Sequence, residues 1–284
     1  MTLPRVPHIA TIPELRRQVR GWRKAGERIG LVPTMGALHD GHLELVRQAK
    51  ANADRVVTSI FVNPAQFAPH EDFARYPRTL DSDLDKLGST GCDLVWAPTG
   101  ADMYPAGFAT RVVPAGAADG LESDFRPHFF GGVATVCTKL FIQVTPDFAV
   151  FGEKDYQQLC VIRQLVRDLD LHLEIVGAET IREPDGLAMS SRNRYLSDAE
   201  RTTAPVLNRA IKAVAGAVAD GGEIAVACQR AGDEIRAAGF AKVDYVAVRQ
   251  ADTLEPVAPG STGARRVLAA AWLGKTRLID NVAA

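Results

Sequence analysis

Short apolar runs that alternate with helical patterns over the first 180 residues are the feature that most constrains the fold of this chain. Val56–Val62 is a continuous run rich in β-branched residues, which is typical of a strand buried on both faces of a parallel sheet. Strands are also predicted at Arg28–Pro33, Asp93–Ala97, Phe148–Phe151 and Leu173–Val176, and helices at His42–Ala53, Leu80–Gly91, Val133–Val144 and Tyr156–Leu169. Such repeated βα units predict an α/β fold with a Rossmann-like parallel sheet, whose ligand sites lie at the carboxyl ends of the strands.

The composition changes after Tyr195. Ser197 and Glu200 have the spacing of a capping box, which predicts the start of a helix over Asp198–Ala219. The remaining predicted elements are a helix at Glu223–Ala238 and strands at Val243–Val248 and Arg265–Trp272. The pattern therefore predicts two domains: a Rossmann-like domain of residues 1–182 and a smaller C-terminal α+β domain of residues 183–284.

Composition and charge exclude some classes of partner. The 284 residues are 46% hydrophobic and 24% charged with a net charge of −1, so we expect no basic surface for nucleic acid or membrane. Met1 to Ala10 lacks the apolar core of a signal peptide, and no apolar run approaches the roughly 18 residues that span a bilayer. The four cysteines are scattered without a CxxC pair, which favours a reducing cytoplasm.

The stretch Val32–His42 is the most informative motif, because it joins a predicted strand to a predicted helix where backbone N–H groups favour anions. His39 and His42 are spaced i, i+3 and can project from one face of the first helical turn. Gly36 and Gly41 allow a phosphate chain to approach the backbone closely. Two imidazoles there could stabilise the charge of a departing pyrophosphate. The competing interpretations are a pair of structural or solvent-exposed histidines and a zinc site, but no Cys or carboxylate has suitable spacing for a metal centre.

Two further clusters suit the same chemistry. Phe151–Asp155 follows a predicted strand and offers Lys154 for triphosphate oxygens and nearby acids for Mg²⁺. Met189–Asn193 contains two hydroxyls and the Arg192 guanidinium, which could cover phosphates from a mobile loop. Each cluster alone is typical of an ordinary solvated turn, so their meaning depends on their occurring together.

Together and in this order, the motifs resemble one family. The histidine pair resembles the HxGH signature of the nucleotidyltransferase superfamily, and Met189–Arg192 resembles its KMSKS-type loop. More narrowly, the chain is similar to the pantothenate synthetase family in these segments: Pro33–His42, Phe61–Phe67, Tyr76–Thr79, Phe151–Gln158, Met189–Asn193 and Arg277–Asn281.

The resemblance implies an AMP-forming ligase that joins pantoate to β-alanine with ATP and Mg²⁺ through a pantoyl-adenylate, releasing pyrophosphate and AMP. It implies that His42 and His39 act in catalysis with Lys154 and Arg192. Gln66 and Gln158 would bind pantoate, and Gln66 would also lie near β-alanine. It also implies a homodimer. The residues expected at ATP are Met35, Gly36, Ala37, Leu38, His39, Asp40, Gly41, His42, Gly152, Glu153, Lys154, Asp155, Ile181, Met189, Ser190, Ser191 and Arg192.

The sequence departs from the family pattern at Arg126–Val133, where His128 replaces a glycine and Phe129 a histidine. A bulkier wall near the acid pocket would follow. Two alternatives to the ligase are open: another HxGH enzyme that acts on a different small acid or a phosphorylated acceptor, and a nucleotide-binding regulatory module without turnover.

Two other features resemble sites but predict none. Gly274-Lys275-Thr276 resembles the end of a P-loop, but Ala269 stands where the first glycine is required and the segment reads as part of a strand. Cys137 and Cys160 fall at apolar helix positions, which favours buried structural thiols.

Overall fold

The first of two compact units is built on a parallel sheet. The structure, a computed structural model, describes residues 5–68 and 71–284 apart from the side chain of Asp72. Residues 1–4, which belong to the N-terminal segment Met1–Ala10 and to the predicted domain of residues 1–182, lie outside the described residues. Within this part of the chain the sheet has six strands in the order β1-β4-β3-β2-β5-β6, and every neighbouring pair is parallel. The strands are β1 (His8–Ile9), β2 (Ile29–Thr34), β3 (Arg55–Ile60), β4 (Leu94–Trp96), β5 (Phe148–Gly152) and β6 (Glu174–Ala178).

Helices connect these strands, as expected for parallel neighbours. They are α1 (Ile12–Lys24), α2 (Asp40–Ala51), α3 (Leu80–Leu87), α4 (Gly100–Met103), α5 (Glu122–Phe125), α6 (Phe129–Val144) and α7 (Tyr156–Asp168). Apolar side chains of β2 and β3 pack with those of α2 and α3, including the fully buried Val32, Val46, Val56 and Leu87. Burial of this kind contributes about 25 cal/mol per Å² of apolar surface, which is the main stabilisation of the layer that carries the loops.

The second compact unit comprises Lys154–Cys160 and Glu179–Ala284, so only the first residues of α7 belong to it. Its described residues form an antiparallel sheet of three strands, β7 (Lys242–Gln250), β8 (Arg265–Leu273) and β9 (Thr276–Ala283). Its helices are α8 (Asp198–Thr203), α9 (Val206–Ala219) and α10 (Ile224–Ala237). A separate core made of Ile211, Val214, Ile235, Val267 and Leu278 lies between the helices and the sheet.

The predicted fold class is confirmed: a parallel α/β unit followed by a small α+β unit. The predicted capping box is also present, since the Ser197 side chain accepts from the Glu200 N–H and Glu200 reaches back to Ser197. A single helix over Asp198–Ala219 is wrong, because the helix ends at Thr203 and a new one begins at Val206. Pro205 explains the break, since it has no N–H to donate and its ring clashes with the preceding turn.

Five elements were not predicted from the sequence, namely β1, α1, α4, α5 and β9. The prediction that Gly274-Lys275 lies inside a strand is wrong. These residues form the turn between β8 and β9, with Gly274 at a φ of 55°, so the resemblance to a P-loop has no structural counterpart. Among the described residues, we find no helix with the length and apolar character needed to cross a membrane.

Candidate functional site

The strand order of the first unit reverses between β2 and β5. The chain runs outward from β2 to β3 and β4 on one side, and β5 and β6 lie on the other. Ligands of open parallel sheets bind outside the carboxyl ends of strands at such a reversal. Met35–His42, predicted to bind ATP, directly follows β2. Of the predicted segment Gly152–Asp155, Gly152 ends β5 and Glu153 follows it, so the fold places both segments' first residues at this edge of the sheet.

The loop from Met35 to Leu38 has an unusual backbone. Gly36 has a φ of 80° and Ala37 a φ of 53°, and the left-handed conformation costs a residue with a side chain about 1–2 kcal/mol. The carboxylate of Asp83 on α3 offsets that cost, because it accepts hydrogen bonds from the N–H groups of Ala37 and Leu38 at 2.9 Å each. Lys86, one turn further along α3, donates its Nζ to the Leu38 carbonyl at 2.6 Å.

The sequence interpretation missed Asp83. Its carboxylate is fully buried and also accepts from the Thr79 hydroxyl at 3.0 Å. The N–H groups of Ala37 and Leu38, expected at ATP, are therefore engaged by a protein carboxylate. The sequence signal that could have pointed to Asp83 was the segment Tyr76–Thr79, which resembles the family pattern and ends where α3 begins.

The structure brings the two predicted catalytic histidines together. His39 is the extended N-cap of α2 and His42 lies in the first turn, with ring centroids 4.0 Å apart. The backbone N–H of His39 donates to Nδ1 of His42 over 3.4 Å. A neutral imidazole that accepts at Nδ1 carries its proton on Nε2, so His42 can donate from Nε2.

Gln66, the predicted substrate residue of the first unit, ends a 3-10 turn (Pro64–Gln66) that follows β3. Its Nε2 lies 3.1 Å from the Met35 sulfur and its Oε1 accepts from Asn63 at 3.0 Å. Tyr104 holds Asn63 in turn, since its hydroxyl donates to Asn63 Oδ1 at 2.8 Å. The Gln66 amide therefore lies beside the predicted ATP loop. Asn63, which orients the Gln66 amide, was missed by the sequence analysis, although it lies within the segment Phe61–Phe67.

A partly buried ion pair supports the backbone of Gln66. Arg126 donates to both carboxylate oxygens of Glu71, at 2.6 and 2.9 Å, and to the Gln66 carbonyl at 3.1 Å. Burial raises the pKa of Glu71, but the hydrogen bonds and charge of Arg126 outweigh it and the pKa lies below its usual value. The guanidinium carbon of Arg126 lies 3.9 Å from the centroid of the Phe129 ring. Phe129, a departure from the family pattern, thus packs against Arg126.

The second departure, His128, is the N-cap residue of α6 and is half-buried. The close approach of α6 to the Gln66 turn depends on another residue, Gly132. A Cβ at Gly132 would collide with the backbone carbonyl of Ala65, whereas the Gly132 carbonyl accepts from Asn63 at 3.1 Å.

The second unit holds the remaining predicted residues. Lys154 and Asp155 lie in the turn before α7, and the Lys154 Nζ is 3.8 Å from an Asp155 carboxylate oxygen. Gln158 lies on α7 and is half-buried. A short antiparallel bridge between Arg182 and Ala188 leads into the loop that contains Met189, Ser190, Ser191 and Arg192, and the Met189 N–H donates to the Ile181 carbonyl at 3.0 Å.

That loop is ordered by local hydrogen bonds. The Ser190 hydroxyl accepts from the Arg192 N–H at 3.2 Å, and Asn193 donates to the Ala188 carbonyl at 3.0 Å. The Ser191 and Arg192 side chains are half-buried.

Comparison with known proteins agrees with this arrangement. Residues 7–283 match the family described as Pantoate-beta-alanine ligase. A pantothenate synthetase from Caulobacter vibrioides is 55% identical over 285 residues, covering 100% of this chain and 99% of the relative. The crystal structure of pantothenate synthetase from Thermus thermophilus has a TM-score of 0.91 and 46% identity, covering 98% of this chain and 99% of that one.

A third relative is a pantoate-beta-alanine ligase from Francisella tularensis, whose structure is complexed with beta-gamma ATP and beta-alanine. It has a TM-score of 0.83 and 33% identity, covering 98% of this chain and 97% of that one. A match over nearly the whole length, in sequence and in fold, shows the family. The chain belongs to the pantoate–β-alanine ligase family, whose members are pantothenate synthetases.

Proposed function

We propose that this ligase uses ATP to activate pantoate as an enzyme-bound pantoyl-adenylate and then transfers the pantoyl group to β-alanine. The observation that carries the proposal is the contact between Met35 and Gln66, because it sets a neutral amide beside the loop that precedes the histidine pair. The acid to be activated and the ATP phosphates would then meet at that loop. The beta-gamma ATP and beta-alanine in the Francisella relative support the same pair of substrates.

In the first half-reaction, a pantoate carboxylate oxygen attacks the α-phosphorus of ATP. The bond from that phosphorus to the bridging oxygen breaks, and pyrophosphate leaves with the electron pair. His42 donates from Nε2 to the departing phosphate, and His39, Lys154 and Arg192 bind the phosphate oxygens. Donors aimed at developing charge are among the largest contributions to catalysis.

In the second half-reaction, the β-alanine amine attacks the acyl carbon of the adenylate. The carbon–oxygen bond to AMP breaks, the amine loses a proton and pantothenate forms. Gln66 and Gln158 bind the pantoate hydroxyls and carboxylate with neutral amides, so that no ion pair reduces the nucleophilicity of the carboxylate.

Mg²⁺ fits this proposal as an ion carried by ATP. The described residues contain no cluster of three or more His, Cys, Asp or Glu side chains that could hold a metal by themselves. Mg²⁺ commonly takes one or two carboxylates and fills its remaining positions with phosphate oxygens and water. Glu153 or Asp155 would supply the carboxylate, and the ion would neutralise phosphate charge.

The test separates the two half-reactions. The enzyme is mixed with ATP and pantoate without β-alanine, and pyrophosphate is followed in the first turnover. We expect a burst equal to the enzyme concentration, followed by AMP and pantothenate when β-alanine is added. Pyrophosphate that appears only with the amine would contradict an adenylate-first scheme, and ADP as the product would indicate an acyl phosphate instead.

We also propose a cytoplasmic homodimer. The four cysteines are free thiols, which suits a reducing compartment. Light scattering of the purified chain should give about twice the mass of 30.6 kDa, and a monomeric mass would contradict the dimer.

A further inference from the structure

The segment Arg277–Asn281 is a family-like motif that the proposed reaction does not use. It lies on β9 in the second unit, and Asn281 is only 2% exposed. Asn281 donates from Nδ2 to the backbone carbonyl of Lys154 at 2.9 Å. Its Oδ1 accepts from Nε of Arg266 at 2.7 Å. Because both ends of the amide are engaged with opposite polarity, its orientation is fixed.

The backbone of Asn281 is held as well. Its N–H donates to the carboxylate of Asp280 at 2.7 Å, and its carbonyl accepts from Arg182 at 3.2 Å. The same Asp280 carboxylate accepts both terminal nitrogens of Arg182, at 2.8 and 2.9 Å, and the Asn208 amide at 2.9 Å. A buried, fully engaged network of this kind makes β9 a rigid support for the amide.

Lys154 itself lies where its chain has little regular structure. It is in the single 3-10 turn Glu153–Asp155 between β5 and α7. The next fixed point is Tyr156, whose ring centroid lies 4.0 Å from the guanidinium carbon of Arg266. Asn281 and Arg266, which bond each other, therefore hold the backbone at Lys154 and the ring at Tyr156. A long side chain reaches a phosphate reproducibly only when its own backbone is held.

We propose that Asn281 is a positioning residue for Lys154: its amide fixes the Lys154 carbonyl, and thereby the point from which the ammonium group reaches the phosphates of ATP. This inference rests on the proposed function, in which Lys154 binds those phosphates. Asn281 touches no substrate in this account and acts only through Lys154.

The substitution Asn281→Asp tests the one hydrogen bond that matters. It has nearly the same shape and keeps an acceptor for Arg266, but it replaces the donor to the Lys154 carbonyl with an oxygen. We expect kcat/KM for ATP to fall about tenfold, the scale of one lost hydrogen bond. Asp244→Asn is the matched control, because that buried carboxylate lies on the same sheet and bonds Trp272 and Arg277 rather than Lys154. It should lower the thermal midpoint without changing the ATP kinetics.

A double-mutant cycle with Lys154→Met then distinguishes positioning from a general effect on the fold. If Asn281 acts through Lys154, adding Asn281→Asp to Lys154→Met should change kcat/KM for ATP by less than about twofold. Losses that multiply would overturn the inference, and so would an equal loss in Asp244→Asn. If Asn281→Asp cannot be purified folded, Asn281→Ala enters the same cycle. A wild type that forms no pantothenate overturns the proposed function, whereas an active wild type with multiplying losses overturns only the role of Asn281.

Discussion

The carboxylate of Asp83 accepts a hydrogen bond from the backbone N–H of Leu38 at 2.9 Å, although 45 residues separate the two in sequence. Since Asp83 also accepts from Ala37, one buried carboxylate holds the loop that precedes the histidine pair. The loop is thus shaped by α3 before any nucleotide is present.

Asp83→Ala should therefore destabilise the protein and weaken ATP binding. Two buried N–H groups would lose their acceptor, which costs about 1–3 kcal/mol for each group left unsatisfied. Urea unfolding and the KM for ATP measure the two effects. Asp85→Asn on the same helix is the control, because its exposed pair with Arg5 should contribute less than about 1 kcal/mol. Wild-type stability in Asp83→Ala would show that the loop holds its conformation without α3.

His42→Ala should slow the release of pyrophosphate about 10²–10³-fold, the scale of losing one preorganised donor in the transition state. Folding should change little, because the ring is half-buried and the hydrogen bond that its Nδ1 accepts is long at 3.4 Å. Rapid-quench measurement of the first turnover reports the step directly. His172→Ala, an exposed histidine, should behave as wild type. Near-normal turnover in His42→Ala would remove this residue from the mechanism.

Gln66→Leu and Gln158→Leu should each lower kcat/KM for pantoate by about one to two orders of magnitude, because each deletes an amide while keeping approximate volume. This corresponds to a loss of about 1–3 kcal/mol of transition-state stabilisation. For an analogue of pantoate without the recognised hydroxyl, kcat/KM should fall less between wild type and variant, since the analogue never made that hydrogen bond. Equilibrium binding of ATP should change little. If ATP affinity falls as steeply as pantoate turnover, the two glutamines belong to the nucleotide site.

Two adjacent glycines of α6 provide a matched pair. Gly132→Ala should destabilise the protein by about 1–3 kcal/mol and impair pantoate turnover, because its Cβ would push against the Ala65 carbonyl next to Gln66. Gly131→Ala should be neutral or stabilising, since its nearest neighbour would be the Val112 carbonyl at 3.8 Å and alanine favours a helix. Thermal unfolding of both variants decides the matter, and equal effects would contradict the close packing of α6 against the Gln66 turn.

The ion pair of Glu71 and Arg126 should make stability depend on pH. The pKa of Glu71 in the folded protein lies below its ordinary value of 4.5, so the carboxylate stabilises the fold above that pH and the contribution is lost as the pH falls through the lowered pKa. The difference in unfolding free energy between wild type and Glu71→Gln should be largest near neutral pH and shrink below about pH 4. Urea unfolding at several pH values measures it. A difference that does not vary with pH would show that the charge of Glu71 contributes nothing.

Much of the fold was predictable because its signals are local. The β-branched run that became Arg55–Ile60 and the capping box at Ser197 depend only on neighbouring residues. Element ends were less predictable. The sequence places the start of α6 at Val133, because glycine disfavours helices, but the helix begins at Phe129. Packing of Gly132 against Ala65 favours the glycine there, and no local pattern reveals that contact.

By itself, the sequence determined the fold class, the family and the segments that carry the proposed chemistry, because each depends on residues that are contiguous in the chain. Only the tertiary structure revealed the residues that hold those segments in place. Asp83 holds the loop before His39, Arg126 holds the backbone of Gln66, and Asn281 holds the carbonyl of Lys154. These bonds join residues 46 to 127 positions apart, and which partners meet is decided by strand order and helix packing rather than by any local preference.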